Sequence, residues 1–339
     1  MSEELVKCIE RGLSAVAETD VDAAKAALEQ ALAAGGREDG RVAHLQGLVS
    51  WLTGNLEDAA AHLLRAVDAA PTEPIVQLDA AEFLFVEGEL QEAEGILRDF
   101  LDRVGEAESA DDARMLLSQL RLEDDDPEES LEILDTVTAG RDRVEYLASR
   151  GGVLLALGRL DESVEVMRRA VDIEPDDADL KYQLGVVLYA ANDREGSREV
   201  MVQVHRMDAA AREAGGSELD GAQQRDLQER FEAVLEEVPE PILKQIAGVP
   251  VTVDAAPSED DVRAGLDPRN AVAFYGQAVE DGGEAKLERI VVMRDILVDG
   301  LDEFDELSED EQIHELLFEH TLVELRRFLG LEELMVAGV

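Results

Sequence analysis

One sequence pattern recurs about every 34 residues, and it constrains the fold of this chain more than any other feature. Its clearest copy, residues 42–71, places a small residue, Gly47, seven positions before a turn glycine, Gly54. A second small residue, Ala59, then comes four positions before a large one, Leu63. Small residues let two antiparallel helices approach closely, the large residue fills the remaining space, and the glycine permits a tight turn. The pattern therefore predicts a series of helix pairs.

The same marks can be aligned six times along the chain, and their joint recurrence is hard to obtain by chance. The first small positions are Gly12, Gly47, Ala81, Ser118, Gly151 and Gly185, at spacings of 35, 34, 37, 33 and 34 residues. The second small positions are Ala24, Ala59, Ala93, Ser130, Ser163 and Ser197, and the large positions are Leu28, Leu63, Leu97, Leu134, Met167 and Met201.

With these marks the chain resembles tetratricopeptide repeat proteins over six repeats, residues 4–207. The resemblance implies a mainly α fold, a right-handed superhelix whose first helices line a concave groove. It also implies that the groove binds a protein or peptide partner. The family's groove positions fall here on His44, Leu48, Trp51, Leu78, Phe85, Met115, Leu122, Leu155, Tyr182, Val186 and Tyr189.

These groove positions are mostly apolar and include the only tryptophan of the chain. An exposed apolar surface of this kind is typical of an interaction site for an apolar helix or extended segment. The alternative is that the groove alignment is shifted by one position for some of these residues, which then belong to the core between repeats.

The longest repeat interval surrounds three adjacent aspartates, Asp124 to Asp126, and Pro127. These residues predict a lengthened turn within repeat four. A calcium loop is the alternative interpretation, but the ligands of such a loop alternate along the chain and need a following glycine and a distal glutamate, which are missing here.

Beyond a predicted linker at 208–222, which contains Gly215, Gly216 and Gly221, the periodicity changes. Residues 227–238 form an amphipathic helix, and residues 249–253, 271–275 and 288–293 are predicted strands. The glycines of segment 280–286 indicate a hairpin between the second and third strands. A last helix, 309–329, begins after Ser308 as N-cap and ends at Gly330. The second domain, 223–339, is therefore predicted to be a small α+β domain.

This order of elements, with FYG between strands, RIVVMRDIL leading into acidic residues and a last helix ending in FLG, is similar to the minimal zincin-type metallopeptidase family. In that family the last helix carries the zinc motif HExxH. Alignment on Gly330 places the motif on Val323, Glu324 and Arg327, with Glu333 at the position of the third ligand. Valine has no lone pair for zinc, and arginine stays protonated in proteins. The resemblance thus implies a catalytically inactive domain without a cofactor.

Two further hypotheses concern the last helix. His320 and Glu324 are four residues apart and share one helix face, so a shifted zinc site with these two ligands is geometrically possible, although no third ligand can be identified. Alternatively, Arg327 pairs with Glu324 and Glu333 and places a fixed positive charge where the family holds zinc.

The formal net charge of −48 excludes a basic surface for nucleic acid. Acid excess along the whole chain with little lysine resembles the proteins of organisms that accumulate salt in the cytoplasm; an acidic surface selected for one basic partner is the alternative. One cysteine, Cys8, fits a reducing compartment, and no apolar stretch is long enough for a membrane helix. We expect a soluble, cytoplasmic protein.

The combined expectation is an adaptor that binds a partner polypeptide in the groove of its repeats and carries an inactive, zincin-like domain. The alternative is a zinc metallopeptidase whose repeats recruit substrate. A third possibility is that the second domain docks into the groove of the repeats and blocks it.

Overall fold

The computed structural model describes residues 3–105, 110–213, 221–238, 242, 246, 248–277, 286–301 and 308–329. The chain divides into two compact units, Met1–Pro175 and Asp176–Val339. The first unit holds five helix pairs. The repeat pattern groups the sixth pair with the other five, but the structure places it in the second unit.

Unit 1 consists of helices that pack as consecutive antiparallel pairs. The first helices of successive pairs contact one another, and each second helix contacts the first helix of the next pair. The helices are α1 (Glu3–Ala17), α2 (Val21–Ala33), α3 (Gly40–Leu52), α4 (Leu56–Ala69), α5 (Pro74–Val86), α6 (Leu90–Val104), α7 (Asp111–Glu123), α8 (Pro127–Asp135), α9 (Val144–Ala156) and α10 (Leu160–Ile173).

The small residues act where the two helices of a pair meet, as the repeat pattern predicts. A Cβ atom on Gly47 would lie 2.5 Å from Cγ of Leu63, and one on Gly151 would lie 2.3 Å from Sδ of Met167. The Ser163 hydroxyl, from the second small position, donates a 2.7 Å hydrogen bond to the carbonyl of Gly151. A larger residue at Gly47 would press on both the side chain and the backbone of Leu63, and one at Gly151 would displace the Met167 side chain.

A residue with left-handed backbone lies seven positions after the first small residue in every pair. The positive φ angle closes the tight turn between the two helices, and glycine occupies the position in three of the pairs because it adopts that conformation without strain. The six residues are Thr19, Gly54, Gly88, Asp125, Gly158 and Asn192.

The predicted lengthening of the turn at Asp124 to Pro127 is wrong. Residues 124–126 connect α7 to α8 with three residues, as residues 53–55 connect α3 to α4. The additional residues lie instead between α6 and α7, in a connection whose residues 106–109 fall outside the described residues. Asp126 caps α8 by accepting a hydrogen bond from the Glu129 N–H, a local role for one of the three aspartates.

Unit 2 combines a helix pair with a three-stranded sheet and further helices. Its strands have the order β1-β3-β2, in which β1 is parallel and β2 antiparallel to the central β3. The elements are α11 (Ala178–Ala190), α12 (Arg194–Glu213), α13 (Gly221–Glu237), β1 (Val251–Asp254), α14 (Glu259–Ala264), β2 (Val272–Gln277), β3 (Lys286–Met293), α15 (Arg294–Asp299) and α16 (Glu309–Leu329).

Most predicted elements of unit 2 are confirmed. The three strands and the antiparallel pairing of the second and third are present, but their connecting loop at 278–285 lies outside the described residues. Helix α12 continues to Glu213, so the first residues of the predicted linker are helical. Gly215 and Gly216 lie outside the described residues. Helices α14 and α15 were not predicted.

The core of unit 2 lies around strand β3. Residues Ile290 to Met293 are consecutively buried, which means that both faces of this strand are covered. Helices α13 and α16 pack on the sheet, and the rings of Phe274 on β2 and Phe328 on α16 meet edge to face with centroids 5.9 Å apart.

A buried carboxylate fixes the connection after α8 in unit 1. Asp111, the first residue of α7, accepts hydrogen bonds from the N–H groups of Thr138, Ala139 and Gly140 and pairs with buried Arg114 at 2.5 Å. Burial alone would raise the pKa of Asp111, but these hydrogen bonds lower it below its usual range. The charged form is therefore the one that the fold stabilises.

We predict that Asp111→Asn lowers the free energy of unfolding by about 3–5 kcal/mol, because it removes one charge of a buried ion pair. Asp112→Asn is the matched control: Asp112 pairs with Arg143 at the surface, so we expect a loss under about 1 kcal/mol. Because the folded-state pKa of Asp111 is depressed, its stabilisation is present at neutral pH and is lost as the pH falls through that pKa. Urea denaturation at several pH values measures both effects, and equal losses in the two variants would contradict the prediction.

Candidate functional site

The predicted groove positions of unit 1 fall into two classes of burial. His44, Leu48 and Met115 are each no more than 9% exposed. They pack between neighbouring helices, which agrees with the alternative interpretation that some positions belong to the core between repeats. The remaining positions of unit 1 are half-buried, with one edge accessible: Trp51, Leu78, Phe85, Leu122 and Leu155.

The half-buried aromatic residues of the second and third pairs lie close together. Trp51 on α3 meets Phe83 on α5 edge to face, with ring centroids 5.4 Å apart. Leu78, Phe85 and Trp51 all pack against the same core cluster. The structure thus joins the predicted positions on α3 and α5 into one apolar surface.

The two most exposed apolar side chains on α5 are not among the predicted groove positions. Ile75 is 52% exposed and Val86 is 63% exposed. Ile75 lies six residues before the small residue Ala81, and Val86 lies five residues after it. The groove positions predicted from the sequence do not include these two offsets. The signal that could have found them is their separation of 11 residues, which places them on one face of α5 three turns apart.

Acidic side chains accompany this apolar surface. Buried His44 holds the carboxylate of Asp79 across the two first helices, with Nε2 2.6 Å from Oδ2. Glu82 follows Asp79 by three residues on α5. Partial removal of water by the surrounding protein raises the pKa of Glu82, and the negative charge of Asp79 raises it further.

The sixth helix pair differs from the others, because two of its groove positions contact later residues of unit 2. The Tyr182 hydroxyl donates a 2.8 Å hydrogen bond to Asp267, and Arg269 lies over the Tyr182 ring at 5.0 Å. Val186 packs with buried Val262 of α14. Tyr182 and Val186 are half-buried and contact other residues of unit 2, although the resemblance assigned them to a partner.

Charged pairs reinforce these contacts. Arg269 pairs with Asp208 on α12 at 2.9 Å and with Asp179 on α11 at 2.6 Å. These carboxylates raise the pKa of Arg269, so its charge is fixed. Tyr189 remains exposed, with the Arg194 guanidinium 3.4 Å from its ring centroid.

The aligned zincin positions of α16 contact the outer edge of strand β2. Glu324 is 1% exposed, and its Oε2 accepts hydrogen bonds from the Phe274 N–H at 3.0 Å and from Arg327 Nη2 at 2.6 Å. Its Oε1 accepts a third from Arg327 Nε at 2.8 Å. Arg327 Nη2 also donates to the Phe274 carbonyl at 3.3 Å. The hypothesis that Arg327 pairs with Glu324 is confirmed, whereas Glu333 lies outside the described residues.

His320 extends the same contact by one turn. Its Nδ1 accepts a 2.5 Å hydrogen bond from the Ala271 N–H, which requires the neutral ring. Burial lowers the pKa of His320, while Asp267 and Glu319 partly oppose that effect. His320, Glu324 and Arg327 therefore form one stripe of α16 that satisfies backbone groups at the edge of β2, and we call it the edge clasp.

The edge clasp does not fit a zinc ion. Val323 is exposed and has no donor atom, Arg327 is a cation, and both Glu324 oxygens are engaged by N–H groups. His320 Nδ1 accepts the hydrogen bond from the Ala271 N–H. In this geometry neither His320 nor Glu324 therefore offers a free lone pair for the shifted zinc site. Over the parts of the chain that the structure describes, no group of three or more His, Cys, Asp or Glu side chains is placed to hold a metal ion.

Unit 2 also contains an open cleft of about 840 Å³. Its arginines are each paired with an aspartate, so they offer no unopposed positive charge to an anionic ligand. The pairs are Arg212 with Asp299, Arg269 with Asp208, and Arg294 with Asp295.

Comparisons with known proteins identify the helix pairs. Residues 9–74 match a family model described as tetratricopeptide repeat, and residues 151–192 match one described as TPR repeat. No curated protein matches the sequence significantly. The N-terminal region therefore contains tetratricopeptide repeats, as the sequence pattern predicts, while the zincin-like identity of the second domain stays a prediction.

Solved structures show the same fold. The pilF protein of Pseudomonas aeruginosa is 14% identical with a TM-score of 0.53, over 60% of this chain and 92% of that chain. PilW, a widely conserved type IV pilus biogenesis factor, is 11% identical with a TM-score of 0.54, over 61% of this chain and 94% of that chain. At such identities the similarity establishes a superhelix of the tetratricopeptide type. No helix among the described residues is long and apolar enough to cross a membrane.

We predict that Glu324→Gln lowers the free energy of unfolding of unit 2 by about 2–4 kcal/mol, because the amide cannot accept hydrogen bonds at both of its terminal atoms. Glu319→Gln, on the exposed side of the same helix, should change it by under about 0.5 kcal/mol. Amide hydrogen exchange at Phe274, together with urea denaturation, provides the measurement. Wild-type protection of Phe274 in Glu324→Gln would contradict the edge clasp.

We also predict that unit 2 loses stability as the pH falls below about 6.5, the value for an unfolded histidine. Because burial lowers the folded-state pKa of His320, the neutral ring stabilises the fold above that pH, and this contribution is lost as the pH falls through the folded-state pKa. Exchange of the Ala271 amide should accelerate over this range. His320→Asn should remove the pH dependence of Ala271 exchange and reduce the step in stability, leaving the contribution of His205, whose pKa burial also lowers. His314→Asn, whose ring bonds Glu237 and not strand β2, should keep the pH dependence of Ala271 exchange.

Proposed function

We propose that this protein is an interaction adaptor that binds a polypeptide partner on the first-helix face of unit 1. The observation that carries the proposal is the exposure of Ile75 and Val86 on one face of α5, beside the half-buried Trp51, Leu78 and Phe85. Large apolar side chains grouped on one surface are typical of an interaction site. Tetratricopeptide repeats in this region support a protein or peptide as the partner.

The partner's surface is supplied by the five pairs of unit 1. Tyr182 and Val186 of the sixth pair already contact Asp267 and Val262. Of the three predicted groove positions on that pair, only Tyr189 is exposed, and Arg194 lies over its ring. We propose that the α+β part of unit 2 serves as a structural module that covers the sixth pair. This develops the possibility that the second domain docks on the repeats, and it restricts that docking to the pair within unit 2.

For unit 2 we further propose descent from a zincin-type domain without catalytic activity. The order of helix, three strands and last helix supports this origin, and the edge clasp supports the loss of activity. A general-base glutamate must accept a proton from an activated water, and Glu324 instead accepts hydrogen bonds from Arg327 and Phe274. The same contacts disfavour the alternative of a zinc metallopeptidase. The net charge of −48 disfavours a nucleic-acid partner, and the single Cys8 supports a cytoplasmic location.

The proposal is tested by selecting binders to the full chain from a random library of 12-residue peptides and measuring their affinities by fluorescence anisotropy. We expect peptides that bind the wild-type chain and bind at least about tenfold more weakly to the Ile75→Asp/Val86→Asp double variant, since each aspartate would be desolvated against an apolar side chain. Both residues are exposed, so circular dichroism should show an unchanged fold.

Ile173→Asp is the matched control, because Ile173 is 50% exposed but lies on α10, a second helix. It should leave peptide affinity unchanged. Failure to select any peptide, or equal loss of affinity in Ile173→Asp and in the double variant, would refute the adaptor proposal.

A further inference from the structure

The exposed face of α5 has an ordered chemical pattern along its length. With 100° between successive residues of an α-helix, Ile75, Glu82 and Val86 fall within an arc of about 40°. With a rise of 1.5 Å per residue, Glu82 lies about 10 Å along the axis from Ile75 and about 6 Å from Val86. We call this row of apolar, acidic and apolar side chains the α5 stripe.

The acidic group of the α5 stripe lacks a compensating cation. Glu82 forms no ion pair with any residue in the described parts of the chain. Its neighbour Asp79 carries the same charge, and the nearest cationic candidate for Asp79, His44, is already bonded to it. Two neighbouring carboxylates repel each other, and this repulsion disfavours the charged form of each.

Basic side chains on the flanking first helices are committed elsewhere. Arg41 on α3 lies beside Asp39. On α7, Arg114 pairs with Asp111 and Arg121 pairs with Glu94. The first helices on both sides of α5 therefore direct their arginines to other carboxylates, and the charge of Glu82 faces outward.

From this arrangement we infer that the partner segment is an extended peptide in which a lysine or arginine lies between two apolar residues, with the cation on Glu82 and the apolar side chains on Ile75 and Val86. The inference rests on the proposed function, since it specifies the ligand of the same surface. The stripe spans about 16 Å, the length of about five residues of extended chain at 3.3 Å per residue. A cation at Glu82 would relieve the repulsion from Asp79, and a charged hydrogen bond would fix the register of the peptide.

The inference is tested with the peptides that the 12-residue library yields. We expect most of them to carry a lysine or arginine flanked by apolar residues within a span of about five to six residues. Replacing that arginine by citrulline, its neutral isostere, or that lysine by norleucine should weaken binding to the full chain about three- to tenfold, as expected for a charged contact at a partly exposed site. The difference should shrink as salt rises from the lowest concentration at which the chain is folded by circular dichroism.

The protein variant that isolates the contact is Glu82→Gln. It should bind the charged and neutral peptides equally, whereas Glu57→Gln, an exposed glutamate on the second helix α4, should keep the wild-type preference. The two glutamines change the net charge of the chain by the same amount, so the comparison separates a local contact from general attraction to an acidic protein.

The outcomes distinguish failure of the inferred partner chemistry from failure of the adaptor proposal. If peptides bind in a manner that depends on Ile75 and Val86 but lack a basic residue, or keep their affinity with citrulline or norleucine, the inferred partner chemistry is wrong and the adaptor proposal stands. If Glu82→Gln keeps the preference for the charged peptide, the cation binds elsewhere and the inference is again wrong. If no peptide binding depends on Ile75 and Val86, both the adaptor proposal and the inference are refuted.

Discussion

The close approach of two helices at their small residues is the constraint on which the repeat region depends. Gly47 and Gly151 leave room for Leu63 and Met167, and the residue seven positions later turns the chain back with a positive φ angle. Together these two features fix the rotation of each first helix about its own axis. That rotation decides which side chains contact the neighbouring helices and which project outward. Ile75 and Val86 are exposed because they lie about 120° and 140° around α5 from its small residue Ala81, whereas His44 and Leu48 lie closer to Gly47 on α3 and are buried.

A second constraint governs the sheet of unit 2, where strand β2 would otherwise leave its outer backbone groups unpaired. An unpaired edge is a site for association with other strands, and proteins usually cover it. Here α16 covers it with side chains: His320 bonds the Ala271 N–H, and Glu324 and Arg327 bond both backbone groups of Phe274. The positions at which a zincin-type helix would hold its metal thus contribute to the stability of the sheet. A metal site at these positions would require removal of these bonds, so a few substitutions to histidine would weaken the fold before they provided ligands.

Features fixed by local sequence could be predicted, and features fixed by packing between elements could not. The repeat interval, the helix 309–329 and the three strands follow from periodicity and end signals that each segment carries by itself. The position of the additional residues near Gly105 could not be deduced, because Asp125 substitutes for glycine in the left-handed turn and makes a regular turn look like an insertion. The central place of β3 in the sheet, and the hydrogen bond from Tyr182 to Asp267, depend on contacts between residues far apart in sequence. The pairing of Glu324 with Arg327 was predictable because three residues on one helix determine it.

The effect of a carboxylate in this chain depends on how deeply it is buried. Carboxylates on solvated faces interact weakly at a distance because salt screens them beyond about 10 Å at 0.1 M, so the net charge of −48 by itself selects no partner. Asp111 is the opposite case, since a full set of hydrogen bonds and Arg114 satisfy its charge inside the fold. Glu82 lies between these extremes: it is exposed, but partial loss of water and the charge of Asp79 still raise its pKa, and no described residue neutralises it. On the proposed function, a cation of the partner would gain most at a carboxylate such as Glu82, which has a like charge beside it and no cation paired with it among the described residues.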